Sequence, residues 1–292
     1  MPRGDPFTRF CQQMTRTGRP VVADLHLHST ASDGDYTPSH IVALASVAGL
    51  KAIALTDHDT CAGIALARAA AQQFPESRRP EIVAGVEVSA EFEGREVHIL
   101  GLFVDPDHAH LKAALHLIAE SRVERFRAFV EYFRANGTPF DDGRVAAILA
   151  STTCPGRRHV ANLLVESGFA RSRYDAFRRF LGPALPWIPP KALLPAADAI
   201  VRIAEAGGIA SLAHPATEFD AAVLRRFHEL GLRAVEVAYP AATVGRSLEL
   251  RGWANELGWA ITGGSDCHGN DRILGSRGVT ETELADLRGR TG

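Results

Sequence analysis

VVADLHLHSTASDGDYTP, residues 21–38, is the stretch from which this chain's fold can be read. Residues 21–28 have the length and apolar content of a strand. With a period of two, Asp24, His26 and His28 share one face while Ala23, Leu25 and Leu27 share the other. Thr37-Pro38 then opens a helix with a side-chain cap and a proline in its first turn, and Gly49 closes it. A strand that carries two imidazoles and leads into a helix is the first half of a βα unit.

Outward from there the rhythm repeats. Strands are expected at 51–56 and 81–90 with a helix from Thr60 to about Phe74 between them, and Glu93-Gly94 turns the chain so that 96–103 pairs antiparallel with the third strand. Further on come a helix at 196–205 and strands at 208–213, 233–238 and 259–263, with helices between them. This alternation predicts an α/β fold around a mostly parallel sheet. Between about Leu111 and Pro190 the chain is helical and arginine-rich, and it ends in Pro183, Pro186, Pro189 and Pro190, which read as a return linker. The expected plan is an N-terminal extension (1–20), a first barrel part (21–110), an inserted helical cap (111–195) and a second barrel part (196–292).

Composition narrows the function classes. Of 292 residues, 46% are hydrophobic and 23% charged, as in an ordinary globular protein. Cys11, Cys61, Cys154 and Cys267 form no CxxC pair, which argues against a disulfide framework and a zinc knuckle and points to the cytoplasm. The first 20 residues have no apolar core of a secretory signal, and no window has the roughly 18 apolar residues of a membrane span. No GxxxxGK[ST] loop and no GxGxxG after a strand is present, against NTP-driven or dinucleotide chemistry. Net charge is −2, but residues 111–195 hold 13 basic and 7 acidic side chains, leaving that segment at +6 and the remainder at −8. One part then suits metal and the other an anionic ligand, although a solvated arginine-rich helix face explains the charge equally well.

Ionisable residues recur where the expected strands end. Asp33 follows the first strand and Asp57-His58-Asp59 the second; Glu87 and His98 lie on the third and fourth; His214, Asp266 and His268 follow later ones. A lone HxH is as often structural as functional, but strand ends of an α/β barrel converge on one rim. With a turn at Glu93-Gly94, His98 also falls on Glu87's face, within two positions of being opposite it. His26, His28, Asp33, His58, Glu87, His98, His214, Asp266 and His268 are too many ligands for one ion and suit two or three divalent ions bridged by a carboxylate. The nitrogen and oxygen mix suits Mn²⁺, Zn²⁺ or Fe²⁺, and such ions bring bound water toward neutral pKa, which is hydrolytic chemistry. Cys267 alternates with Asp266 and His268, so packing is its expected role. His40, His108, His110, His116 and His228 read as solvated.

In order along the chain, DLHLHSTASDGDYTP from Asp24, LTDHDT from Leu55, GVEVSAE from Gly85, EVHILG from Glu96, SLAHP from Ser211 and GGSDCHG from Gly263 resemble the motifs of the PHP (polymerase and histidinol phosphatase) family of metal-dependent phosphoesterases. That resemblance implies a distorted seven-stranded (β/α) barrel with a two- or three-metal site. It places His26, His28, Glu87 and Asp266 on one ion as the catalytic, water-activating set, Glu87 bridging to a second ion with His98 and His268, and Asp33, His58 and His214 on a third. Asp33 stands where some members have histidine, and the harder oxygen leans toward Mn²⁺ or Mg²⁺. GRRHVAN from Gly156 and WIPPK ending at Lys191 are similar to the insert of the stand-alone PHP nucleotide phosphatases, which implies that Arg157, His159 and Lys191 bind substrate phosphate. Arg158 occupies the position where that branch has proline, so it shares the candidacy. The implied activity is removal of the 3'-phosphate from a small nucleotide 3',5'-bisphosphate, with 5'-to-3' degradation of short 5'-phosphorylated RNA or DNA as the alternative. Histidinol-phosphate hydrolysis needs no two-phosphate grip, and a non-catalytic binding module would not need every ligand position. No obligate protein partner is implied.

Overall fold

The computed structural model describes residues 20–182 and 190–291. The N-terminal extension through residue 19 and Pro183, Pro186 and Pro189 of the expected linker lie outside them. β1 (Ala23–Leu27), α1 (Pro38–Ala48), β2 (Ala52–Leu55), α2 (Ile64–Ala71) and β3 (Glu81–Phe92) follow in order. Thr37 Oγ1 accepts the His40 N–H at 3.2 Å, and Gly49 ends α1 at φ 71°, where a Cβ would be strained. β2 runs parallel to both neighbours, with Ala23 opposite Ala52 and Ala52 opposite Glu81. Glu93 and Gly94, at φ 52° and 78°, turn the chain into β4 (Arg95–Leu102), antiparallel to β3. Ser89 faces His98 and Glu87 faces Leu100, so His98 lies two positions from Glu87's own partner.

Four helices come next: α3 (Ala109–Ala135), α4 (Asp142–Ser151), α5 (Arg157–Glu166) and α6 (Arg173–Phe180). β5 (Leu194–Pro195) pairs briefly with the end of β3. The alternation then resumes with α7 (Ala196–Glu205), β6 (Ile209–Leu212), α8 (Ala221–Glu229), β7 (Ala234–Ala238), α9 (Val244–Glu256), β8 (Ala260–Gly263) and α10 (Glu281–Gly289). The sheet order is β1-β2-β3-β4-β6-β7-β8, with β4 antiparallel to both of its neighbours. Strand-like bonds close the seam between β8 and β1: His28 N–H donates to Cys267 O at 3.0 Å and Val279 N–H to Ala23 O at 2.9 Å. The result is a distorted, nearly closed seven-stranded barrel.

Leu25, Ala54, Val83, Leu100, Ala234 and Ala260, from six strands, meet in one buried cluster that fills the barrel. A second core gathers in the helices after β4, where Phe126, Phe129 and Phe133 of α3 pack with Phe140, Leu163 and Leu164. Leu111, Leu115 and Ile118, earlier on α3, join the core between barrel and outer helices. One 27-residue helix thus serves both cores, and the division expected at residue 111 falls inside it. α10 goes beyond the sequence reading, although its start is marked by a capping box: Thr280 N–H donates to Glu283 Oε2 at 2.8 Å, and Glu283 N–H to Thr280 Oγ1 at 3.4 Å. Among the described residues, no helix is long and apolar enough to cross a membrane.

Candidate metal centre

Strand ends deliver the ionisable side chains, but not by simple alternation. β1 has a register irregularity between Asp24 and Leu27. Asp24 turns to Ser265, accepting from its N–H at 2.9 Å and its hydroxyl at 2.6 Å, while His26 and His28 reach the mouth of the barrel. The expectation that Asp24 shares a face with the two histidines is therefore corrected, and burial raises its carboxyl to about 6. His214 and Asp266 follow β6 and β8 at φ 27° and 48°, and Asp59 sits at 53°. Left-handed conformations cost non-glycine residues energy, and here they gather at one site. At Gly264 a Cβ would stand 2.3 Å from that of His26, so only glycine lets the end of β8 pass so close.

Glu87, only 1% exposed, is the hub. Its Oε2 lies 3.0 Å from His58 Nδ1, 3.1 Å from His28 Nε2 and 3.3 Å from His26 Nε2. Its Oε1 lies 2.8 Å from His98 Nδ1 and 2.9 Å from His214 Nε2. Asp266 Oδ1 is 3.3 Å from His28 Nε2, 3.5 Å from His26 Nε2 and 3.4 Å from His268 Nδ1, while His268 Nε2 is 3.4 Å from Asp33 Oδ1. All nine side chains meet. Their grouping differs from the implied one in two members: His268 stands with His28, Asp33 and His58 instead of with His98, and His214 stands with His26 and Glu87 instead of with Asp33 and His58. Sheet order explains the exchange. β8 adjoins β1 and its outgoing loop, so His268 lands beside Asp33; β6 adjoins β4, so His214 lands beside His98, 3.3 Å away.

The residues present fit divalent ions. Buried His28 Nδ1, Asp33 Oδ1, His58 Nδ1 and Glu87 Oε2 make no hydrogen bond, and the Nε2 atoms of His26 and His28 face each other at 3.1 Å. Buried polar atoms are rarely left so, and a shared cation satisfies several at once. Burial opposes charge at His26, His28, His58 and His98. At His58 it prevails and lowers the ring to about 4, leaving a free lone pair at neutral pH. At His28 the Asp266 and Glu87 carboxylates outweigh burial and raise it to about 9, and Glu87 and Glu96 do the same at His98.

These protons compete with cations, so metal affinity should climb with pH until about 9. In the ion-free protein the same raised imidazoles stabilise the fold fully below 6.5, and that contribution is lost as pH rises through about 9. The thermal-unfolding gap between metal-loaded and metal-free protein should therefore widen from pH 6.5 to 9.5. A constant gap contradicts the protonation pattern.

Positioning groups surround the cluster, and several carry no sequence signal. Glu236, fully buried in β7, accepts from His26 Nδ1 at 3.2 Å and from His214 N–H at 2.7 Å, which leaves His26 Nε2 aimed at the cluster. Its one hint was a lone carboxylate in the apolar strand Ala234–Ala238. Of Asp57-His58-Asp59, only His58 joins. Asp57 holds Ser29 N–H and Ser32 Oγ, each at 2.7 Å, and Asp59 holds Ser89 N–H at 2.6 Å. Arg122 of α3, itself 7% exposed, reaches Asp59 Oδ2 with Nε at 2.7 Å. Cys61, Cys154 and Cys267 are pushed up to about 12 by burial, so none is a thiolate nucleophile at neutral pH. Cys267 is buried, as its alternation with the two ligands suggested.

The candidate phosphate-binding residues divide. Arg158 is taken up by carboxylates, with NH1 2.9 Å from Asp271 and NH2 3.3 Å from Asp35, and its Nε donates to Asp33 O at 3.1 Å. Arg157 donates to Leu181 O at 3.3 Å and lies over the Phe177 ring. His159 Nδ1 accepts the Gly156 N–H at 3.0 Å. Lys191 Nζ is 2.5 Å from Glu96 Oε1, which is in turn 3.2 Å from His98 Nε2.

A family model described as PHP domain matches residues 24–154. Over 265 residues the chain is 32% identical to a 3',5'-nucleoside bisphosphate phosphatase of Chromobacterium violaceum, which spans 89% of this chain and 91% of that protein. The chain belongs to the PHP family. This PHP protein is also 34% identical to a 5'-3' exoribonuclease of Haemophilus influenzae, over 84% of this chain and 89% of that one. A proposed metal-dependent phosphoesterase of Bifidobacterium adolescentis superposes with a TM-score of 0.85 at 27% identity, covering 94% of this chain and 98% of the other. As a PHP phosphoesterase, the protein is a metal-dependent hydrolase.

Proposed function

We propose that this PHP protein removes the 3'-phosphate from nucleoside 3',5'-bisphosphates such as adenosine 3',5'-bisphosphate, with two or three divalent ions, manganese foremost, in the cytoplasm. His26, His28, Asp266 and Glu87 Oε2 would hold one ion, Glu87 Oε1, His98 and His214 a second, and Asp33, His58 and His268 a third. Bound there, the ions would supply an activated water and neutralise charge on the phosphoryl oxygens. The carrying observation is that cap residues border the cluster on two sides. Gly156, at the start of α5, is so close to Asp33 that a Cβ there would be 3.3 Å from its Oδ2, and Lys191 reaches His98 through Glu96. Residues 111–195 then act as an inserted cap that grips the second phosphate with Arg157, His159 and Lys191. Arg158, held by Asp35 and Asp271, fastens cap to barrel.

Phosphate release in Mn²⁺ tests the reading. A charge-assisted contact to the second phosphate is worth about 1.5–3 kcal/mol, so kcat/KM for adenosine 3',5'-bisphosphate should exceed that for 3'-AMP by roughly 10- to 100-fold. Equal rates contradict a two-phosphate grip. The similarity to an exoribonuclease favours one second reading, 5'-to-3' degradation of short 5'-phosphorylated oligonucleotides. A ladder of mononucleotides without release of inorganic phosphate would establish that reading in place of the first.

A further inference from the structure

The nine clustered side chains are unequally covered. His26 and His28 are fully buried, whereas His98 and His214 are 21% and 31% exposed, the most open of the set. These two flank a cavity of about 230 Å³ at the rim between β4 and β6. Val97, Leu212, Pro215, Ala216 and Phe219 give it apolar walls, and Glu96, its one carboxylate, is already engaged by Lys191 and His98. The wall is held rigid from behind. Arg246, itself buried, donates to Ala216 O at 2.9 Å and Phe219 O at 2.7 Å, and the Tyr239 hydroxyl donates to Pro215 O at 3.0 Å.

We propose that this cavity receives the base of the nucleotide, an uncharged planar heterocycle. The proposal rests on the nucleotide reading given above, and both the mononucleotide and the oligonucleotide form of that reading share it. Along its apolar walls, Val97, Leu212, Pro215, Ala216 and Phe219, a phosphate would lose its hydration without a polar partner, whereas a base would not. The volume is below that of pockets for whole drug-sized ligands and suits one fused ring. His98 and His214 line the cavity, so a base seated in it lies within a sugar's length of a phosphate at the cluster. Three carbonyls pinned by Arg246 and Tyr239 keep the pocket formed before the ligand arrives, which spares the ordering cost of binding.

The test compares adenosine 5'-monophosphate with ribose 5-phosphate, by calorimetry on the metal-loaded protein. Wild type should bind the nucleotide at least tenfold more tightly. Ala216 lines the cavity, half-buried, with its carbonyl already fixed by Arg246, so Ala216→Trp fills the space without removing that acceptor. It should bring the ratio to within about twofold of unity while leaving ribose 5-phosphate affinity unchanged, and Ala216→Leu should fall between. A ratio near one in wild type, or one that survives Ala216→Trp, overturns the assignment. Turnover of adenosine 3',5'-bisphosphate is read separately on the same samples: its absence beside the expected ratios supports the base pocket and removes the phosphatase reading.

Discussion

Glu87→Gln should lower kcat at least about a thousandfold, equivalent to about 4 kcal/mol of transition-state stabilisation. The two carboxylate oxygens of Glu87 face five imidazoles at 2.8–3.3 Å, and each oxygen serves a different set. Glutamine keeps the volume but turns one oxygen into a donor aimed at ring nitrogens and removes the only charge common to the sets. Metal content should fall with activity, because ions bridged by this carboxylate lose a shared ligand. The fold should survive, since the barrel core is built from Leu25, Val83, Leu100 and their neighbours and not from the cluster. Phosphate release, metal analysis and thermal unfolding on one preparation read all three quantities. A variant with more than about a tenth of wild-type activity contradicts the hub role.

Arg122→Ala should have the largest effect on stability, about 3–5 kcal/mol by urea unfolding, because it leaves Asp59 charged and buried without its cation. Asp59 is 1% exposed, and its Oδ2 accepts from Arg122 Nε at 2.7 Å and Ser89 Oγ at 2.8 Å. The guanidinium, with NH2 also 3.1 Å from Ser89 Oγ, ties the shared helix α3 to the loop that carries His58. Asp59→Asn in the same chain should restore part of the loss, since the uncompensated charge is then gone. A cost below about 1 kcal/mol for Arg122→Ala would show that α3 is held by its apolar face alone.

The strands and the placement of ligands at their ends were legible because both depend on local pattern. Short apolar runs between helix-length segments marked β1, β2 and β3, Glu93-Gly94 marked the hairpin, and the register of that hairpin followed, with His98 two positions from Glu87's partner. What depended on which strands are neighbours was not legible. His214 and His268 exchanged groups because β6 lies beside β4 and β8 beside β1, and no local pattern in the chain encodes that order. Glu236 stayed hidden for the same reason, its partner His26 being 210 residues away. Asp24 was misplaced because an irregularity in β1 breaks the period that the reading assumed. That Asp35 and Asp271, from two other loops, pair with the phosphate candidate Arg158 was likewise not legible.

Anomalous diffraction from crystals grown with Mn²⁺ tests the central claim most directly. At least two manganese peaks should stand about 2.0–2.6 Å from Glu87 Oε1, Glu87 Oε2 or the imidazole nitrogens that face them. No peak within coordination distance of Glu87, or peaks only elsewhere on the molecule, would contradict a metal cluster at the barrel mouth and the hydrolysis assigned to it.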